Sequence, residues 1–253
     1  MKIFLRMKEE TETEVSRELY NMLGYDIHTK RVRMGMLAEK THPYIKEKVE
    51  EMLVTEHKFS DWEAKNVMDK TWKDTPENMQ IKMTGNIGVI FEKLKSQGDR
   101  SVSMLLLYII IAAGVKIAIC TSDSREGTEE FLLRLSLSSY VDLVLCGDDP
   151  DSVSKPSPHN ALFICDKLGV GPGQTIMVGD TPADTIMGQK AELGLTIGVL
   201  SGVGDHEDLA DADIIMNDVG GVVDLVCSDV TKEAGSSPVY ITNRGLAKIV
   251  GKN

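Results

Sequence analysis

Positive charge is scarce in this sequence. Lys and Arg total 28 against 39 Asp and Glu, a formal net charge of −11 over 253 residues. That balance argues against a non-specific grip on nucleic acid or on an anionic membrane, since both require a surplus of cations. It leaves room for a local positive pocket that holds a small anion. Cysteine is also sparse. Cys120, Cys146, Cys165 and Cys227 show no paired spacing and no zinc-ligand pattern. They read as reduced, buried thiols of a cytoplasmic protein. Long apolar runs are missing as well. MLLLYIIIAA at 104–113 falls well short of the roughly 20 residues that a membrane-spanning helix needs. The opening MKIFLRMKEETETE is too charged for the apolar region of a signal peptide. A soluble protein without membrane or nucleic-acid partners is expected.

What is present falls into two rhythms. From about 8 to 80, apolar residues recur at helical spacing: Val15, Leu19, Met22 and Leu23; Ile45, Val49, Met52 and Leu53; Ala64, Val67, Met68 and Trp72. Apart from KIFL at the start, this region shows no strand-like run. From about 85 the pattern changes. A helix with Ile87, Ile90, Phe91 and Leu94 on one face leads to Gly98. Continuous apolar runs then alternate with helical stretches: VKIAICT, a helix at about 126–137, VDLVLC, a helix at 158–168, TIMVGD, a helix at 182–193, LTIGVLS and ADIIM. Runs of that kind belong to strands buried on both faces, and their alternation with helices predicts a parallel sheet between two helical layers.

The expected organisation is a helical region over 1–82, an α/β core over 83–227 and a small, polar, poorly ordered tail over 228–253. One segment interrupts the core. Residues 99–114, DRSVSMLLLYIIIAAG, separate KLKSQG from VKIAICT, which would otherwise join as a helix–glycine–strand step. They read either as an added strand or hairpin or as translated non-coding sequence.

In an open parallel sheet, ligands bind at the carboxyl ends of the strands. Thr121 and Ser122 follow the first core strand, Lys155 comes soon after the second, and Asp180 and Asp184 follow the third. Taken singly, each has an ordinary explanation. Thr121 and Ser122 could cap a helix, Lys155 could be a surface lysine, and Asp180 could cap the helix that begins at Pro182. The DDPD at 148–151 reads as a solvated turn. Together they suit phosphate chemistry. A hydroxyl and the N–H groups of a helix start can hold phosphate oxygens, an ammonium group can neutralise charge, and two carboxylates can hold Mg2+.

The ordered set ICTSDSR, SKPSPHNALFICDKLGV and TIMVGDTPADTIMGQKAELG resembles the haloacid dehalogenase-like hydrolases, in particular the phosphoglycolate phosphatase type with a helical cap. The resemblance spans roughly 85–225 without the 99–114 insert. It implies a Rossmann-like three-layer core of parallel strands with an N-terminal helical cap domain. It also implies hydrolysis of a small-molecule phosphate monoester with Mg2+. Thr121, with Ser122 beside it, would bind phosphate, Lys155 would neutralise charge, Asp180 would help hold the metal, and Asp184 would support the metal or the lysine.

That family's first motif is a strand ending in Asp-x-Asp, whose first aspartate attacks phosphorus. No such motif precedes the helical region here. Asp149-Pro-Asp151 has the spacing but lies between the second and third motifs. Without a nucleophile the whole covalent pathway is lost. Two readings follow: an incomplete form of a competent phosphatase, or a non-catalytic phosphate-binding or regulatory protein of the same fold. KIFL and the insert are the spare strand-like runs that could fill the missing central strand. A dinucleotide-binding protein is a weaker alternative, because GVGPG at 169–173 and GVLSGVG at 198–204 do not give the G-x-G-x-x-G fingerprint. The five histidines accompany no nucleophile elbow.

Overall fold

The computed structural model describes residues 14–29, 31–32, 35–73, 87–96, 115–227 and 239–241. The chain divides into two compact units, Met1–Lys82 and Met83–Asn253. KIFL, the 99–114 insert and Trp72's side chain lie outside the described residues.

In the first unit, helices α1 (Glu14–Leu23), α3 (His42–Thr55) and α4 (Asp61–Lys73) carry the predicted apolar faces, and a single-turn helix α2 (Met36–Glu39) precedes α3. Leu19, Leu23, Ile45, Val49, Met52, Leu53, Ala64 and Met68 form one buried cluster. Val67 departs from the expectation and is exposed, because Ala64 and Met68 already fill the inward stripe of α4. Helix α4 begins at a capping box: Ser60 N donates to Glu63 Oε2 at 2.9 Å and Glu63 N donates to Ser60 Oγ at 3.3 Å. A short antiparallel ladder, β1 (Tyr25–Asp26) with β2 (Arg31–Val32), appears where no strand was expected. Gly24, at φ 73°, reverses the chain after α1, and Asp26 Oδ1 accepts the His28 and Thr29 N–H groups in the turn. Two residues per strand are too few to leave an alternating pattern.

The second unit begins with α5 (Ile87–Ser96). It continues through β3 (Ala118–Cys120), α6 (Arg125–Arg134), β4 (Leu143–Leu145), α7 (His159–Leu168), β5 (Ile176–Gly179), α8 (Pro182–Lys190), β6 (Leu195–Val199), β7 (Ile214–Met216), α9 (Gly220–Cys227) and β8 (Val239–Ile241). β3 pairs in parallel with β4. β5, β6 and β7 form a second parallel ladder, and β8 adds to β7 antiparallel. Among the described residues the two ladders share no strand pairing.

The register accounts for the layers. Met177 stands opposite Thr196, and both lie under α8, where a Cβ on Gly188 would come 2.7 Å from Thr196 Cγ2 and 3.0 Å from Met177 Cβ. Val178 and Ile197 point the other way and pack with Ile214, Met216 and Val222 of α9. Alternate strand residues therefore meet helices on opposite faces, as a doubly covered sheet requires. A further cluster of Ala161, Cys165, Met187, Ala191 and Leu193 takes in both Cys120 of β3 and Met177 of β5, and so joins the two ladders through side chains.

Two features were not read from the sequence. Helix α9, GGVVDLVC, is short and apolar almost throughout, so it shows no helical period. Strand β8 lies within 228–253, the segment expected to be a loose tail; it is held by main-chain pairing with β7. No helix among the described residues is long and apolar enough to cross a membrane.

Candidate functional site

Thr121 follows β3 directly. Its N–H donates to Leu145 O at 3.0 Å and so extends the β3–β4 ladder by one residue. Its hydroxyl donates to Asp123 Oδ2 at 3.3 Å and accepts from Asp123 N at 3.1 Å. Ser122 is half-buried beside it. Neither caps α6. That position belongs to Ser124, whose Oγ accepts from Gly127 N at 3.3 Å. Both hydroxyl residues therefore stay in the loop at the strand end.

Lys155 is a buried lysine, with 11% of its side chain exposed. Nζ donates to the Cys120 carbonyl at 2.9 Å and to Asp184 Oδ1 at 2.7 Å. Burial by itself would depress its pKa. The Asp184 carboxylate, with help from the Cys120 side and from Asp180, overcomes this and holds the ammonium above its ordinary value. Lys155 thus ties the residue preceding Thr121 to the start of α8.

The two acids after β5 have different surroundings. Thr181, not Asp180, is the N-cap of α8, and Asp184 completes a capping box with it. Asp184 Oδ2 accepts from Thr181 Oγ1 at 2.8 Å and from Thr181 N at 3.2 Å, while Oδ1 accepts from Lys155. Both oxygens of Asp184 are therefore engaged by the protein. Asp180 Oδ2 accepts from Val203 N at 2.8 Å, and the Asp180 carbonyl accepts from Gly204 N at 2.8 Å. Its Oδ1 accepts no hydrogen bond from the described residues.

Glycine is required around this pair. A Cβ on Gly202 would fall 1.9 Å from Asp180 Oδ2, and a Cβ on Gly179 would fall 2.2 Å from Asp184 Cβ. The donor set fits Mg2+, a hard cation that commonly takes one or two carboxylates and fills its remaining positions with water and phosphate oxygens. Asp180 would hold it through Oδ1. No group of three or more His, Cys, Asp or Glu that could hold a metal occurs among the described residues.

Asp149, whose Asp-x-Asp spacing follows a strand, has another job. Arg125 Nε and Nη2 donate to its two oxygens at 2.6 and 2.5 Å, and Cys146 N donates to Oδ2 at 2.8 Å. The Arg125 contacts, supported by the Cys146 N–H, hold this carboxyl below its ordinary pKa against the opposing effect of burial. The DDPD turn is solvated at Asp148, Pro150 and Asp151, while Asp149 points inward as a brace. Asp148 Oδ1 accepts from Arg125 N at 2.8 Å, and Gly147 N donates to Asp123 O at 2.9 Å. These bonds hold the Thr121–Asp123 loop in place.

Several of these residues escaped sequence reading. The T-x-x-D spacing of Thr181 and Asp184 was available as a capping signal. Val203 and the glycines at 202 and 204 left no local signal, because Asp180 lies about twenty residues before them. Gly169, part of a glycine-rich stretch weighed as a nucleotide loop, is the left-handed C-cap of α7 at φ 67°.

Residues 86–192 match the haloacid dehalogenase-like hydrolase family. Over 117 residues the chain is 31% identical to validoxylamine A 7'-phosphate phosphatase of Streptomyces hygroscopicus subsp. limoneus, covering 46% of this chain and 54% of that protein. Over 108 residues it is 33% identical to phosphoglycolate phosphatase of Neisseria meningitidis, covering 42% and 45%. The chain therefore matches about half the length of these curated relatives. A crystal structure described as a predicted phosphoglycolate phosphatase from Haemophilus somnus superposes with a TM-score of 0.58 at 17% identity, over 74% of this chain and 78% of that one. This last likeness speaks for the fold alone.

Proposed function

We propose that residues 86–192, which match the haloacid dehalogenase-like hydrolase family, carry the phosphate-binding half of a Mg2+-dependent phosphatase acting on a small-molecule phosphate monoester. The observation that carries this reading is Lys155, which bridges the Cys120 carbonyl and Asp184. One ammonium group thereby links the residue that precedes Thr121 to an acid in the first turn of α8. The names of the relatives, phosphatases of phosphoglycolate and of validoxylamine A 7'-phosphate, support a small monoester as the substrate class.

In this reading Thr121, Ser122 and the N–H groups at the start of the α6 loop hold the phosphate oxygens. Lys155 neutralises their charge, and Asp184 keeps that ammonium protonated and pointed. Asp180 holds Mg2+ through the oxygen that the Val203 N–H leaves open. Bound there, Mg2+ would supply Lewis-acid stabilisation of charge on the phosphoryl oxygens. The nucleophile has to come from a strand ending in Asp-x-Asp. β3 pairs with β4, β5 pairs with β6, and the opposite edges of β3 and β5 carry no strand among the described residues, which supports that location for it. Ile176 at the start of β5 is 39% exposed, whereas all of β7 is buried.

The second reading, phosphate binding without turnover, draws support from Asp149. The acid in this chain that has the Asp-x-Asp spacing after a strand is committed to Arg125 and cannot attack phosphorus without breaking that brace.

The test is an assay of a phosphate monoester panel with Mg2+, on the chain as given and on a version with an added N-terminal strand ending in Asp-x-Asp. The phosphatase reading expects turnover in the extended version and its loss in Asp180→Asn. Binding of orthophosphate without turnover in both forms would favour the non-catalytic reading. Failure of both forms to bind or to turn over would sink the phosphate site.

A further inference from the structure

We propose that Asn160 is a positioning residue for Lys155. Its side chain sets where the lysine stands, and its functional meaning rests on the phosphate-site reading above. Asn160 lies in the first turn of α7 and is 2% exposed. Its Oδ1 accepts from Val153 N at 2.8 Å and its Nδ2 donates to Ser152 Oγ at 3.3 Å. Both partners lie just ahead of Lys155 on the segment that carries it. Lys155 Nζ in turn donates to the Cys120 carbonyl. One buried amide therefore fixes the segment that delivers the lysine to the strand end where it docks.

The outer side of that segment is open, with Val153 and Ser154 exposed. Apart from the bonds of Lys155 Nζ itself, its other bonds are surface ones: Ser152 N to Asp149 O at 3.0 Å, Ser157 N to Ser154 O at 3.2 Å, and the His159 ring to Asp151 O at 3.0 Å. Asn160 provides the inward tie. A lysine side chain has wide rotamer freedom, and a backbone shift at Val153 would be transmitted to Nζ two residues on. A buried amide is tolerated only where its partners are met, so retaining one here instead of leucine defines a single geometry for the segment.

The experiment is competitive acylation of lysines in the folded full chain, read peptide by peptide by mass spectrometry. Lys155, buried and ion-paired, is expected to label far more slowly than exposed Lys167 and Lys190. Asn160→Leu keeps the branched shape and removes both bonds. Loss of a buried hydrogen bond should raise Lys155 labelling by about tenfold relative to Lys167, with the urea midpoint used to subtract labelling through global unfolding. Asn160→Asp, which still accepts from the Val153 N–H and can take the Ser152 hydroxyl proton where the amide donated to that hydroxyl, should restore most of the protection.

Unchanged Lys155 labelling in folded Asn160→Leu would overturn the proposal. If that variant does not fold, Ser152→Ala serves instead, with a rise of about threefold expected for one weaker bond and no rise refuting it. A rise that merely tracks the unfolded fraction would reduce Asn160 to a packing residue and also refute it. None of these readouts uses phosphate or metal. A parallel arm with orthophosphate and Mg2+ should slow Lys155 labelling in the wild type; if it does not, the phosphate-site reading fails while the Asn160–Lys155 relation stands.

Discussion

Lys155 Nζ lies 2.7 Å from Asp184 Oδ1, with both side chains about nine-tenths buried. The pair closes the carboxyl end of the sheet from the inside. Removing one partner leaves an uncompensated charge in the interior, so Asp184→Ala should destabilise the second unit by about 3–5 kcal/mol. Lys155→Met/Asp184→Leu should recover most of that loss, because an apolar pair avoids desolvation altogether. Urea unfolding of the three proteins checks both. A double variant as unstable as the single one would show that the pair does not act as a unit.

The same pair has a signature at high pH. The folded-state pKa of Lys155 is raised. The stability it contributes is therefore complete below the unfolded value of about 10.4 and fades as pH climbs through the higher folded value. Alkaline unfolding should begin at lower pH in Asp184→Asn than in the wild type.

On the acid side Asp149 governs the sign. Its folded pKa is lowered, chiefly by Arg125. Its contribution is present above the unfolded value of about 3.9 and is lost as pH falls through the lower folded value. Asp149→Asn should flatten the loss of stability between about pH 4 and 2. It should also loosen the Gly147 N–H bond to Asp123, an effect that amide hydrogen exchange reads directly.

Two glycine-to-alanine changes should part company. At Gly202 the new methyl would fall 1.9 Å from Asp180 Oδ2, so the carboxylate must move and its bond from Val203 must break. A cost of about 1–3 kcal/mol is expected. At Gly173 a Cβ meets nothing within 4 Å. That change should be neutral or stabilise by up to about 1 kcal/mol through the unfolded chain. Thermal denaturation separates the two.

In the first unit, Met68→Ala should cost about 2–5 kcal/mol, whereas Val67→Ala should stay within about 0.5 kcal/mol. Met68 is 2% exposed and Val67 42%. Similar losses at both sites would mean that α4 buries a wider face than its contacts indicate.

Much of the α/β core was legible in the sequence. TIMVGD, LTIGVLS and VDLVLC are apolar without alternation because their strands are covered on both sides, and the helices between them keep a clear period. Helix α7 begins at His159, directly after Pro158, where the sequence put it. What stayed hidden depended on distance. Lys155 in SKPSP looks like a surface lysine until Asp184, 29 residues later, is brought to it. Asp149 looks solvated until Arg125 is. Thr181 and Asp180 are both competent caps, and a one-residue shift in the helix start decides between them. β1 and β2 are too short to have a period, and β8 sits in a polar segment whose order comes from β7 rather than from its own composition.

That last strand has a consequence for handling the protein. Ile214, Ile215 and Met216 are all buried, and Val239–Ile241 takes up their outward N–H and C=O groups. A form trimmed after Cys227 would bare a greasy, hydrogen-bond-hungry rim and should self-associate through it as concentration rises.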